Sequence, residues 1–314
     1  SLVTFPSMET LTVGVALVSA MQAGLGYFIC RTLTVQRLPA GIAGLLIATL
    51  PILVRMTASE GAFGPATTFL MVGVLFAVQA AKSSSGRHLI GALVFVAVAG
   101  HFRPVMYTAA LPTTLTVFFL SPPSERLRWW RRPSLYIATT VFFLCTLDDA
   151  AGLISRLGEG SPMTPGWWRG QSLHSWPLVD PTSTPIWFLP LTLVSGAIAF
   201  RSERRNEILW LTALGMWLTF VYTSDNAWPA SLRYAVAYAW ICPVVVALGL
   251  DALLPKVTAV QARWGIAAFI CLALSTPLSH QGFMSHRFAQ QQEMDLQTTE
   301  VIPHLLSVKG AKVV

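Results

Sequence analysis

Apolar residues in this chain come in long blocks, neither striped at helical spacing nor alternating as in a half-buried strand. The blocks cover about residues 10–30, 38–54, 64–81, 134–147, 185–200, 207–223, 233–251 and 264–279. Runs of this length and uniformity predict membrane helices. Several fall short of the ~20 residues of an ideal span, which a bundle accommodates by tilting or by thinning the bilayer. The stretch 89–120 is too long for one span and short for two. Pro104 within it lacks an amide hydrogen and breaks a helix. Two short helices are therefore predicted, about 89–101 and 104–120, turning at His101-Phe102-Arg103.

Charge supports that hairpin. If residues 31–37, 82–87, 121–132, 201–205 and 256–263 are inside loops, they hold 13 of the 21 basic residues. These are Arg31, Arg37, Lys82, Arg87, Arg126, Arg128, Arg131, Arg132, Arg201, Arg204, Arg205, Lys256 and Arg263. A single crossing at 89–120 would put the nine downstream of Leu120 outside, against the positive-inside rule. The expected fold class is an all-α polytopic bundle of about 9–10 membrane helices, including the short broken hairpin near 89–120. Residues 1–280 form the helical domain, and 281–314 an outward tail that starts a small soluble domain. The chain opens Ser1-Leu2-Val3 with no Met and no basic leader, and both ends are expected to be cut from a longer protein.

Composition agrees: 54% of residues are hydrophobic and 11% charged, against about 25% charged in soluble domains. Mean hydropathy is +0.60. The net charge of +7 sits in short clusters between apolar blocks, which excludes a nucleic-acid surface and fits loops beside a membrane. Cys30, Cys145, Cys242 and Cys271 lie inside apolar blocks without metal-ligand or redox spacing, and read as buried thiols. No Walker A loop, dinucleotide glycine pattern, HExxH or GxSxG occurs.

Five elements carry candidate chemistry. Arg103 lies between apolar stretches, where a guanidinium is costly unless it faces protein, water or an anion; its planar fork suits phosphate, and snorkelling to the interface is the plainer alternative. Glu60, in Ser59-Glu60-Gly61, lies in a short outer loop, where a carboxylate could bind metal, orient a sugar hydroxyl or act as a base. Its plainer reading is a first-turn helix charge beside the cap Ser59. Asp148 and Asp149 follow an apolar block and are read as a pair at a helix C-terminus, opposing its dipole; that points to a divalent metal or a basic partner, or simply to a solvated helix end. Arg233 and Tyr234 sit where an outer loop re-enters the membrane, a position suited to a lipid phosphate and also to ordinary anchoring. Trp168 and Arg169, in the long outer loop of about 150–184, suit stacking on a sugar ring or lying on the bilayer. Trp129-Trp130-Arg131-Arg132 is expected to be an interface anchor.

Taken in order, these elements resemble the GT-C superfamily of membrane glycosyltransferases, of the mannosyltransferase and aminoarabinose-transferase type. The carriers are the outer acid Ser59-Glu60, the broken hairpin Arg103-Pro104, the long outer loop, and Arg233-Tyr234 before an apolar helix. The similarity covers about residues 10–280. It implies a polyprenyl-phosphate-sugar donor, membrane lipid as a partner, and inverting transfer to a lipid, glycan or protein acceptor at the outer face. It implies that Glu60 matches the second outer-loop acid near donor or metal, and that Arg233, with Arg103 as a weaker match, holds donor phosphate. Mg or Mn is the one cofactor the resemblance leaves room for. The family's main catalytic acid belongs to the first outer loop, of which residues 1–9 would be only the end; Glu9 is not assigned that role, and the base is expected upstream of Ser1. A bacterial inner membrane is the expected location. A transporter or flippase for a lipid-linked or anionic solute would share the buried Arg and broken helices, and a non-catalytic membrane subunit would share the lipid binding.

Overall fold

Inside a bilayer each backbone amide must be satisfied within its own segment, so the apolar blocks fold as helices. The computed structural model describes residues 8–51, 53, 63–158, 184–224, 237–261, 264–265 and 268–269. Its elements are α1 (Met8–Thr32), α2 (Arg37–Thr49), α3 (Phe63–Ser83), α4 (Gly86–Phe102), a 3-10 segment (Pro104–Ala109), α5 (Ala110–Leu120), α6 (Pro123–Trp129), α7 (Pro133–Gly158), α8 (Phe188–Phe200), α9 (Arg205–Ser224), α10 (Ile241–Leu253) and a 3-10 turn (Leu254–Lys256). Among the described residues all regular structure is helical, and the stretches Val13–Thr32, Phe63–Ser83 and Ala237–Lys256 are long and apolar enough to cross a membrane.

The centre of the bundle is α3, with 72% of its apolar window buried against 33% for α1. The outward faces of α1 and α7 stay apolar, with Leu17, Met21, Phe28, Ile137, Phe143 and Leu144 exposed, as lipid contact requires. Close helix approach depends on small residues, the usual substitute in lipid for a hydrophobic driving force. A Cβ added at Gly249 of α10 would lie 2.5 Å from the Ser195 carbonyl oxygen of α8.

Helices α1 and α3 run parallel, and a buried amide sets their register. Gln22 Nε2 donates to the Gly64 carbonyl at 3.0 Å and to Thr68 Oγ1 at 3.2 Å. The Thr68 hydroxyl in turn lies 3.1 Å from the Val18 carbonyl and 3.0 Å from that of Gly64.

At the basic end of the bundle two tight turns are held the same way. Thr34, between α1 and α2, and Ser84, between α3 and α4, take left-handed φ values of 65° and 53°, costly for residues with a Cβ. In each case an arginine from a distant loop grips the turn. Arg204 Nη1 donates to the Leu33 carbonyl at 2.7 Å and Thr34 Oγ1 at 3.0 Å, while Nη2 reaches the Thr34 carbonyl at 3.3 Å. Arg132 Nη1 donates to the Ser84 carbonyl and Nη2 to Glu125. Arg204 also pairs with Asp251 at 2.5 Å, and Asp251 accepts the Gln36 backbone N–H at 2.9 Å. Four elements, α1, α2, α9 and α10, therefore meet at one ion pair.

Three expectations are corrected. Helix α7 does not stop before Asp148 and Asp149 but continues to Gly158, so the pair is not at a helix C-terminus and the dipole argument falls away. Trp129 is not an interface anchor: it is fully buried, and its Nε1 donates to Ser121 Oγ at 3.0 Å, whereas Trp130 is exposed and stacks on Phe118. Cys145 is exposed on the outward face of α7, while Cys30 is buried and Cys242 partly so; a thiol is apolar enough to face lipid.

Candidate functional site

The break predicted from Pro104 is present. Helix α4 ends at Phe102, Arg103 alone is extended (φ −148°, ψ 107°), and the 3-10 segment begins at Pro104. The backbone at the break is satisfied: Arg103 N–H donates to the Ala99 carbonyl at 3.0 Å, and the Arg103 carbonyl accepts Met106 N–H at 2.8 Å. A helix can thus be interrupted at membrane depth without orphaning amides. Gly100 makes the fold-back possible, because a Cβ there would lie 2.0 Å from Tyr107 Cε1. The Tyr107 hydroxyl is 3.1 Å from His101 Nδ1, its ring meets Phe142 of α7 edge-on, and Trp217 of α9 donates to the Thr108 carbonyl at 3.0 Å. Contacts from α4, α7 and α9 thereby fix the segment that follows Arg103.

The partly buried Arg103 side chain lies over Phe63, the first residue of α3, with the guanidinium carbon 3.8 Å from the ring centroid. A cation on an aromatic face gains about 0.5–2 kcal/mol, the more so when desolvated. That contact satisfies no N–H donor, and Arg103 Nε is buried without a hydrogen-bond partner among the described residues. Gly64, next to Phe63, accepts from Gln22, so a polar seam begins directly beside the stack. Further buried polar atoms without partners lie on the helices around it: Ser19 Oγ and Gln22 Oε1 on α1, Thr67 Oγ1 on α3 and Thr113 Oγ1 on α5. Unspent hydrogen-bonding capacity in an apolar bundle is costly, and here it lies on α1, α3 and α5.

Of the sequence candidates, Arg103 is the one whose side chain the structure describes. Glu60, Trp168, Arg169, Arg233 and Tyr234 lie outside the described residues. Asp148 and Asp149 are placed by their backbone as consecutive residues of α7. Among the described residues no group of three His, Cys, Asp or Glu gathers where a metal could be held. Sequence reasoning missed Phe63 and the Gln22–Thr68 seam. A lone amide inside the block 10–30 was the available signal for the second.

Residues 1–148 match the family described as dolichyl-phosphate-mannose-protein mannosyltransferase, a GT-C type family. The matched region contains Phe63, the broken hairpin and Arg103, as well as Glu60. Among curated proteins none matches the chain. The protein is a multi-pass integral membrane protein.

Proposed function

We propose, from the match of residues 1–148 to this mannosyltransferase family, that the protein transfers mannose from a polyprenyl-phosphate donor to a lipid, glycan or protein hydroxyl at the outer membrane face, with inversion. The acceptor oxygen attacks the anomeric carbon, the bond from that carbon to the phosphate oxygen breaks, and polyprenyl phosphate leaves. The hydroxyl proton passes to the carboxylate that the family resemblance assigns to the first outer loop. Negative charge develops on the leaving phosphate, and a preorganised cation there lowers the barrier.

Arg103 is the observation that carries this reading. Its guanidinium is held by stacking on Phe63 while its buried Nε is uncommitted, so hydrogen-bonding capacity remains for a phosphate. In this proposal Arg233 and Tyr234 take the phosphate from the other side, and Trp168 with Arg169 receives the sugar. Glu60, three residues along the chain from Phe63, orients donor or acceptor. A divalent metal would add Lewis-acid stabilisation, but the described residues supply no ligand set for one. A bacterial inner membrane is the proposed location.

The test is transfer of radiolabelled mannose from polyprenyl-phosphate mannose by the natural full-length protein in proteoliposomes. Arg103→Gln is expected to lower kcat about 100-fold, as for loss of one charge-stabilising donor, with Arg103→Lys intermediate. Wild-type transfer rates in Arg103→Gln, Glu60→Gln and Arg233→Gln together would overturn the proposal. Arg103-dependent flux of the lipid-linked sugar across the bilayer, without transfer, would make the protein a transporter instead.

A further inference from the structure

Helices α8, α9 and α10 enclose a second, different feature: an apolar groove of about 870 Å³. Small residues on facing helices, Gly196 and Ala197 of α8 and Gly215 of α9, leave its width, and Met216 and Val245 form part of its walls. One end carries charge, because Arg201 lines the groove at its mouth. Along α8 the lining runs from Thr192 to Arg201, about 13 Å at 1.5 Å per residue. That is close to half of the roughly 30 Å hydrocarbon core, the depth of a single leaflet.

The arginines at this mouth differ in what they touch. Arg204 is committed to Asp251 and the turn at Thr34. Arg201 is exposed and, among the described residues, makes no ion pair, and Arg205 stacks on the groove-lining Phe200 with its guanidinium carbon 5.1 Å from the ring centroid. Glu203 is the exposed acid between them, so Arg201, Glu203 and Arg205 together present one net positive charge. One uncompensated charge above one leaflet's depth of apolar groove matches a monoanionic, chain-bearing molecule. The basic end faces the cytoplasm by the positive-inside rule.

We infer that this groove binds one anionic glycerophospholipid of the cytoplasmic leaflet, with its phosphate on Arg201 and Arg205 and an acyl chain between α8, α9 and α10. The inference does not rest on the proposed glycosyl transfer, whose donor phosphate belongs at the opposite end beside Arg103.

The test is binding of phosphatidylglycerol and phosphatidylcholine of identical chains to the delipidated full chain in detergent, followed by native mass spectrometry. Phosphatidylglycerol should be retained at least tenfold better. Arg201→Gln/Arg205→Gln should weaken it about 25-fold, roughly fivefold for each basic residue at the surface. Met216→Trp, at an exposed groove position, should block the acyl chain and weaken binding with both arginines intact; a monodisperse gel-filtration peak shows that each variant is folded. Equal retention of the two lipids, or unchanged binding in the double arginine variant, would mean nonspecific annular lipid and overturn the inference. So would polyprenyl phosphate displacing phosphatidylglycerol at equal concentration, since that would make the groove a donor-chain site.

Discussion

The Arg103 guanidinium lies 3.8 Å from the centroid of the Phe63 ring, so the break in one hairpin is tied to the first residue of the central helix. The ring holds the cation without using its N–H donors, which separates positioning from charge. Phe63→Leu should therefore lower transfer activity about three- to fivefold, the loss of a contact worth about 1 kcal/mol, while Phe63→Tyr should remain near wild type. Steady-state kinetics in proteoliposomes provide the comparison, and equal activity in both variants would remove Phe63 from the site.

The Arg204–Asp251 pair is largely buried, with side chains 18% and 8% exposed, and it joins two turns and two helix ends. Removing one partner strands a charge: Arg204→Met should cost about 3 kcal/mol. The double variant Arg204→Met/Asp251→Leu should recover part of that loss. A double-mutant cycle on unfolding in detergent would show a coupling well above that of the exposed Arg128–Glu125 pair, which is worth under about 1 kcal/mol.

Ser84 pays for a left-handed backbone with no side-chain reason to be there. Ser84→Gly should raise stability by about 1 kcal/mol, seen as a higher Tm, and Ser84→Val should lower it. At Thr34 the same relief is offset, because its hydroxyl accepts from Arg204 at 3.0 Å. Thr34→Gly should change Tm little.

Two glycines on facing helices should respond in opposite ways. A Cβ at Gly249 would lie 2.5 Å from the Ser195 carbonyl oxygen, whereas one at Gly196 meets only a Val245 methyl at 3.3 Å. Gly249→Ala should cost about 1–3 kcal/mol through overpacking, and Gly196→Ala should be neutral or slightly stabilising. Thermal unfolding of the two single variants makes the contrast.

The sequence by itself determined which apolar blocks of the described residues are helical and where the hairpin breaks. Both are local properties: an apolar block in lipid must satisfy its own amides, and Pro104 cannot donate one. Charge in the loops placed the basic ends together, and the arginine grips at Thr34 and Ser84 agree with that placement. The neighbours of each helix were not legible. Helices that are apolar all round carry no stripe naming the buried face, so the ring under Arg103, the Gln22–Thr68 seam and the burial of Trp129 emerged only from packing. The same holds for α7: its apolar block ends before Asp148, but the intrahelical hydrogen bonds that carry it to Gly158 do not depend on apolarity. What tertiary structure decided was which polar groups found partners, and that left Arg103 with an aromatic ring and an unused N–H.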